Sequence, residues 1–189
     1  MRDELDKQLC EKYPRIFRNR HKDMTESCMF WGFECGDGWY QILDSLCANI
    51  DHYIKWKRNQ RVYDLKLARV KKKGYDAVLN YLTRGRPATM FDEDRAQEIM
   101  EQELRLTPYT HWVTADQVKE KFGGLRFYYS GGDDQVFGMV RMAESWAAHT
   151  CETCGERGSL RHGGWIRTLC DKHEAEYQEK QSKYRDEDE

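Results

Sequence analysis

No apolar run in the sequence approaches the roughly 18 residues that a membrane-spanning helix needs. The opening stretch, MRDELDKQLCEKYP, is charged and lacks an apolar centre, so it reads as no secretory signal peptide. These two absences predict a soluble, cytoplasmic protein. An excess of one charge is also missing. Lys and Arg total 31 against 33 Asp and Glu, and the net charge of -2 advertises neither a nucleic-acid nor a membrane partner. The familiar catalytic signatures are missing too: there is no Walker A loop, no G-x-S-x-G elbow and no H-E-x-x-H pair.

What is present argues for a folded chain. Aromatic residues make up 13%, and disordered chains are poor in them. A length of 189 residues suits one domain, or one domain with a small appendage. The seven cysteines are odd in number and come without an export signal, which argues against a disulfide framework. Three of them lie in the C-terminal fifth beside histidines, a composition that points to metal.

Periodicity gives an outline. Leu5 and Leu9 mark a short helix that Pro14 ends, with Ile16 and Phe17 as early core anchors. The aromatic, glycine-punctuated stretch 29–40 reads as a strand and tight turn. Ile42, Leu43, Leu46, Cys47, Ile50 and Ile54 then form one face of a helix running to about Lys57. Residues 55–73 are strongly basic, Gly74 breaks the run, and Tyr75 to Leu82 is a second helical stretch. Residues 92–103 are acidic, and a basic block followed by an acidic one is suited to pairing across a helical hairpin. From Tyr109 the pattern turns to strand. A β-hairpin is expected around Phe122–Gly124, its second strand Leu125–Tyr129. A helix follows, with Val136, Met139, Val140, Ala143, Trp146 and Ala147 marking its apolar face. The tail SKYRDEDE is expected to fray.

The C-terminal segment CETCGERGSLRHGGWIRTLCDKH holds the most specific signal. Cys151-x2-Cys154 and Cys170-x2-His173 are separated by fifteen residues. Two intervening residues let both members of a pair face one ion from a tight knuckle. Gly155 suits the turn that aims backbone amides at the sulfurs. A small hairpin, Ser159–Arg161 with Trp165–Leu169, is expected around Gly163–Gly164, and His173 opens a helix. Three thiolates and an imidazole select tetrahedral Zn²⁺, and four protein ligands leave no place for an activated water. His149 and His162 read as spare. Cys28, Cys35, Cys47 and His52 could be drafted as a second site, but Cys47 falls on a buried helix face. The expected fold is therefore α+β: a small antiparallel sheet, flanking helices and a C-terminal treble-clef-like zinc unit.

Three further features bear on partners. In the hairpin, Lys119, Lys121 and Arg126 join Tyr128 on one face, suited to a phosphate and a stacked base, or to ordinary sheet packing with solvated lysines. Gly36-Asp37-Gly38 opens a helix whose amides either take an anion or are capped by Asp37 itself. In the basic segment, Arg58, Arg61, Lys66 and Arg69 are suited to contacting phosphates without reading sequence, or to pairing with the acidic helix.

Three stretches taken together, GFECGDGWY (32–40), QVKEKFGGLRFYY (117–129) and TCETCGERG with TLCDKH (150–158 and 168–173), resemble a family of small, largely uncharacterised proteins encoded by tailed phages and prophages. KYP at 12–14 fits as well. The resemblance covers about the first 55 residues and everything after about residue 115. It divides the chain into 1–56 and 111–149 as a core, 57–110 as a charged helical insertion, and 150–189 as the zinc unit and tail. It implies an accessory protein in the cytoplasm of an infected bacterium, binding and inhibiting or sequestering a host protein, a nucleic acid or a nucleotide signal. The alternative is a metal-dependent nuclease, drafting His111, Glu120, His149 or His162.

Overall fold

The computed structural model describes residues 1–163 and 165–187, with side chains as far as Lys183. It divides into two compact units. One combines Met1–His52 with His111–Glu189; the other is Tyr53–Thr110.

The first unit begins with α1 (Asp3–Lys12), which has Asp3, Glu4 and Asp6 in its first turn and Lys12 in its last, matching the helix dipole. Pro14 follows, and Leu9, Ile16 and Phe17 are buried as the periodicity predicts. Residues 29–40 depart from the expected strand and turn. They form a 3-10 turn (Cys28–Trp31), a two-residue strand β1 (Phe33–Glu34) and a second 3-10 turn (Asp37–Trp39). The pairing stops at Glu34 because the backbone beyond it is committed to contacts with the Cys151–Gly155 loop.

β2 (His111–Lys121) and β3 (Gly124–Gly132) form the expected antiparallel hairpin. Its two-residue turn has positive φ at both positions, 53° at Phe122 and 76° at Gly123. That geometry matches the right-handed twist of the strands it joins. The sheet is not wholly antiparallel, however. β1 pairs with β2 in parallel register, Phe33 opposite Val118 and Glu34 opposite Lys119. A parallel pair needs a long crossover, and here the intervening chain includes the whole second unit. Helix α5 (Asp134–Ala147) is capped by the Asp133 carboxylate, which accepts from the amides of Gln135 and Val136. It buries Val136, Val140, Ala143 and Ala147, whereas Trp146, expected on the same apolar face, is exposed. Trp39, Leu43, Ile50, Val113, Val118 and Leu125 complete this core.

Helix α2 (Tyr40–Lys71) runs well past the expected end at Lys57. Nothing in the basic run breaks a helix before Gly74, whose φ of 99° is unsuited to other residues. Its later turns belong to the second unit, with α3 (Tyr75–Thr83) and α4 (Met90–Glu101). Leu67, Val78, Ala96 and Ile99 form a separate small core there. The start of α4 is a capping box. The Thr89 hydroxyl accepts from the Asp92 amide, the Asp92 carboxylate accepts from the Thr89 amide, and Arg86 donates to both Asp92 oxygens.

The chain closes with β4 (Ser159–Arg161), β5 (Arg167–Leu169) and α6 (Asp171–Glu187). Knuckle, hairpin and helix follow one another in treble-clef order. Of the expected Gly163–Gly164 turn, Gly164 lies outside the described residues. The tail expected to fray is helical to Glu187, and residues 188 and 189 lie outside the described part.

Candidate metal centre

Ligand atoms of Cys151, Cys154, Cys170 and His173 all lie within 4.8 Å of one another, in an arrangement able to hold a metal ion. Each pair comes from a different element. Cys151 and Cys154 flank a knuckle closed by a hydrogen bond from the Gly155 amide to the Cys151 carbonyl, 2.9 Å, and Gly155 takes a φ of 83°. Cys170 directly follows β5, and His173 sits in the first turn of α6.

The spacings match the donors. Cys154 Sγ and Cys170 Sγ are 3.9 Å apart, and His173 Nδ1 lies 3.5 Å from Cys151 Sγ and 3.1 Å from Cys170 Sγ. Tetrahedral bonds of about 2.3 Å to sulfur and 2.0 Å to nitrogen give edges of roughly 3.5–3.8 Å. The His173 Nε2 lies 3.8 Å from a Glu176 carboxylate oxygen, placing an acid on the outer side of the ring. Burial raises the Cys151 thiol pKa, but amides of Cys170, Cys154 and Thr153 outweigh it and bring it down to about 7. Those amides favour a thiolate, the form that binds metal.

The centre is tied into the first unit. The Gly38 amide donates to the Glu152 carbonyl at 2.8 Å, and the Gly36 amide donates to the Glu152 carboxylate at 2.9 Å. The Trp39 indole donates to the Thr150 carbonyl, and the Glu152 amide donates to the Thr168 carbonyl of β5. An added Cβ at Gly38 would lie 2.2 Å from the Cys151 carbonyl, and one at Gly36 would lie 2.2 Å from that of Glu152. Both glycines are therefore required by backbone approach. Burial raises the pKa of the Glu152 carboxyl, against the lowering effect of its bond from Gly36.

Glu152 is the site residue that sequence reasoning missed, and Gly36 and Gly38, singled out as an amide cradle, instead seat the knuckle. The Gly-x-Gly spacing was visible, but its partner lies more than a hundred residues away. It also changes the view of Asp37. The Gly36 and Gly38 amides, considered as an anion cradle, have internal partners, while the Asp37 carboxylate binds the Arg2 amide and side chain.

On the hairpin, Lys119 pairs with Arg126 and Gln117 with Tyr128 across the strands, so one face carries all four, as alternation predicts. Lys119 Nζ stands 5.7 Å from the Tyr128 ring centre, and Lys121 Nζ stands 5.5 Å from that of Phe122. Arg126 folds back and donates to the Leu125 carbonyl. Glu34 of β1 sits beside Lys119 and accepts from Gln117, adding an acid that the hairpin sequence does not reveal. The hairpin turn docks on the Cys/His unit. The Thr168 hydroxyl donates to the Gly123 carbonyl at 2.6 Å, and a Cβ at Gly123 would lie 2.4 Å from a Leu160 methyl carbon.

In the basic segment the four cations divide. Arg58 and Arg61 donate to the carbonyls of Thr110 and Thr107, and Arg61 is half-buried. Lys66 and Arg69 are exposed. Lys71 donates to the Gln102 carbonyl. Within the acidic helix, Arg95 pairs with Glu98.

Among the described residues, the Cys151–His173 set is the one metal-capable group of three or more such ligands. Cys28, Cys35, Cys47 and His52 do not form one, and Cys47 is buried in the core as its helix position predicts. The drafted His111, Glu120, His149 and His162 do not form one either. No helix among the described residues is long and apolar enough to cross a membrane. No family model, curated protein or solved structure matches the chain.

Proposed function

We propose that this protein is a zinc-organised binding module, phage-encoded and acting in the infected bacterial cytoplasm. Its target is an anionic host component, whether protein, nucleic acid or nucleotide signal, which it sequesters. The carrying observation is the convergence of three cysteines and one histidine on a single point, with the β2–β3 turn resting on the hairpin between the two ligand pairs. A Cys3His set favours Zn²⁺, and four protein ligands leave no position for substrate. When bound, the ion supplies folding energy, because its ligands must be gathered before it can be held. Cys151, Cys154, Cys170 and His173 hold it, Glu152 links the knuckle to Gly36, and Thr168 fixes the turn that presents Lys119, Lys121 and Tyr128.

The test has two parts. Elemental analysis of protein purified without added metal is expected to give one zinc per chain, and Cys151→Ser is expected to lose it. Capture from bacterial lysate, with and without nuclease, is then compared between the wild type and the Lys119→Ala/Arg126→Ala double variant. The double variant is expected to melt like the wild type and capture nothing. A double variant that is folded and captures the same target as the wild type refutes the assignment of the hairpin face.

A further inference from the structure

Beside the hairpin turn lies a groove of about 550 Å³, within the range of small-ligand sites. One wall carries Lys119, Lys121 and Phe122 from the β2–β3 hairpin, and the other carries Trp165 and Ile166 from the loop before β5. Both large rings are offered to solvent: Phe122 is 71% exposed and Trp165 61%. Phe122 also occupies a turn position, φ 53°, that suits asparagine or glycine. A bulky aromatic held there by a backbone that disfavours it marks a side chain retained for something other than the turn. Glu120, the acid that lines the groove, accepts from the Gly123 amide at 2.5 Å, so part of its charge is spent inside the turn.

From this groove we infer that the protein binds single-stranded nucleic acid, stacking an unpaired base on Phe122 and Trp165 with flanking phosphates on Lys119 and Lys121. Two exposed rings with two cations in one groove is the combination by which single strands are held without sequence reading. The lysines lie two residues apart on one strand, about 6.7 Å along it, comparable to the repeat of an extended sugar–phosphate backbone. A duplex, whose bases are stacked internally, offers the rings nothing. This inference rests on the reading of the hairpin as a binding surface and names what that surface takes.

Fluorescence anisotropy with labelled oligo-dT and oligo-rU, against a blunt duplex of equal charge, tests it on the full zinc-loaded chain. Single strands are expected to bind more tightly than the duplex. Phe122→Asn creates the Asn-Gly turn that this geometry prefers, so it removes the ring without threatening the fold. It and Trp165→Ala are each expected to weaken binding roughly 5- to 150-fold. Lys119→Ala/Lys121→Ala is expected to flatten the salt dependence, reducing the slope of log affinity against log salt by about 1.4. Failure of either oligonucleotide to bind at low salt overturns the inference, as does binding that Phe122→Asn and Trp165→Ala leave unchanged. Binding of a poly-glutamate peptide in place of the oligonucleotides overturns it equally. In that last case, lysate capture that is still lost in Lys119→Ala/Arg126→Ala leaves the broader function standing while the nucleic-acid assignment falls.

Discussion

Replacing Gly38 with alanine places a methyl carbon 2.2 Å from the Cys151 carbonyl oxygen, 2.4 Å from the Gly155 amide nitrogen and 2.8 Å from that of Cys154. All three neighbours are backbone of the Cys151–Gly155 knuckle, so none can swing aside as a side chain would. Relief requires the loop to retreat by roughly an ångström, since ordinary contact begins near 3.4 Å. A retreat of that size breaks the bond from the Gly38 amide to the Glu152 carbonyl and pulls the Trp39 indole from Thr150. Overpacking of this kind costs about 1–3 kcal/mol, and each lost hydrogen bond costs about 1 kcal/mol. The expected destabilisation is therefore about 3–5 kcal/mol, a large part of a typical domain's 5–15 kcal/mol. Urea unfolding, followed by tryptophan fluorescence, measures it directly on protein to which zinc has been added. Faster transfer of zinc to a chromogenic chelator is the second readout. Gly138 is the internal control: it lies mid-helix in α5 with nothing within 4 Å of an added Cβ. Gly138→Ala is expected to stabilise by about 0.5–1 kcal/mol. A Gly38→Ala protein within about 0.5 kcal/mol of wild type, holding zinc as tightly, would refute the account of how the loop is seated.

Four other outcomes follow from the second unit and its cations. Thr89→Ala removes half of the capping box and is expected to cost about 1 kcal/mol, read as earlier thermal loss of helical circular dichroism. Arg86 first, then the Thr89 hydroxyl and amide, hold the Asp92 carboxyl well below its ordinary 3.8. Their contribution is complete above that value and lost as pH falls toward the lowered one, so acid titration of the wild type should show a loss of stability that Asp92→Asn lacks. Arg61→Ala is expected to destabilise by about 1 kcal/mol through loss of its bond to the Thr107 carbonyl. Charge reversal at exposed Lys66 and Arg69 is expected to stay within about 0.5 kcal/mol in the same denaturation assay.

Legibility in the sequence followed the range of the interactions concerned. The Cys-x2-Cys and Cys-x2-His pairs were readable because side chains that converge on one point from a tight turn need a local spacing. The β2–β3 hairpin was readable for the same reason: a two-residue turn and its flanking strands are neighbours in the chain. Helix α2 reads as ending early because its apolar face is divided, with Ile42 to Ile50 buried in the first unit and Leu67 in the small core of the second. A stripe that shifts in this way resembles two helices until the absence of a breaker before Gly74 is given weight. The stretch 29–40 misled because aromatics and glycines suggest strand and turn. Gly36 and Gly38 are instead explained by Cys151, Glu152, Cys154 and Gly155, none of which lies near them in sequence. The parallel pairing of β1 and the presence of Glu34 beside Lys119 were hidden likewise, because register between residues more than eighty positions apart leaves no local pattern.

The tie between the Cys/His unit and the rest of the first unit sets an order on the birth of the protein. A ribosome delivers α1, β1 and the Gly36–Trp39 loop early, yet the carbonyls and carboxylate that receive that loop belong to Thr150 and Glu152. The β2–β3 turn emerges next, and its docking hydroxyl belongs to Thr168. Cys170 and His173 come later still. A nascent chain stopped short of them carries an incomplete core and two glycine loops with nothing to rest against. On the proposed zinc reading, the first unit is latched only after Cys170 and His173 have emerged and a metal is captured, and chains left without metal are the expected substrate for quality-control proteases.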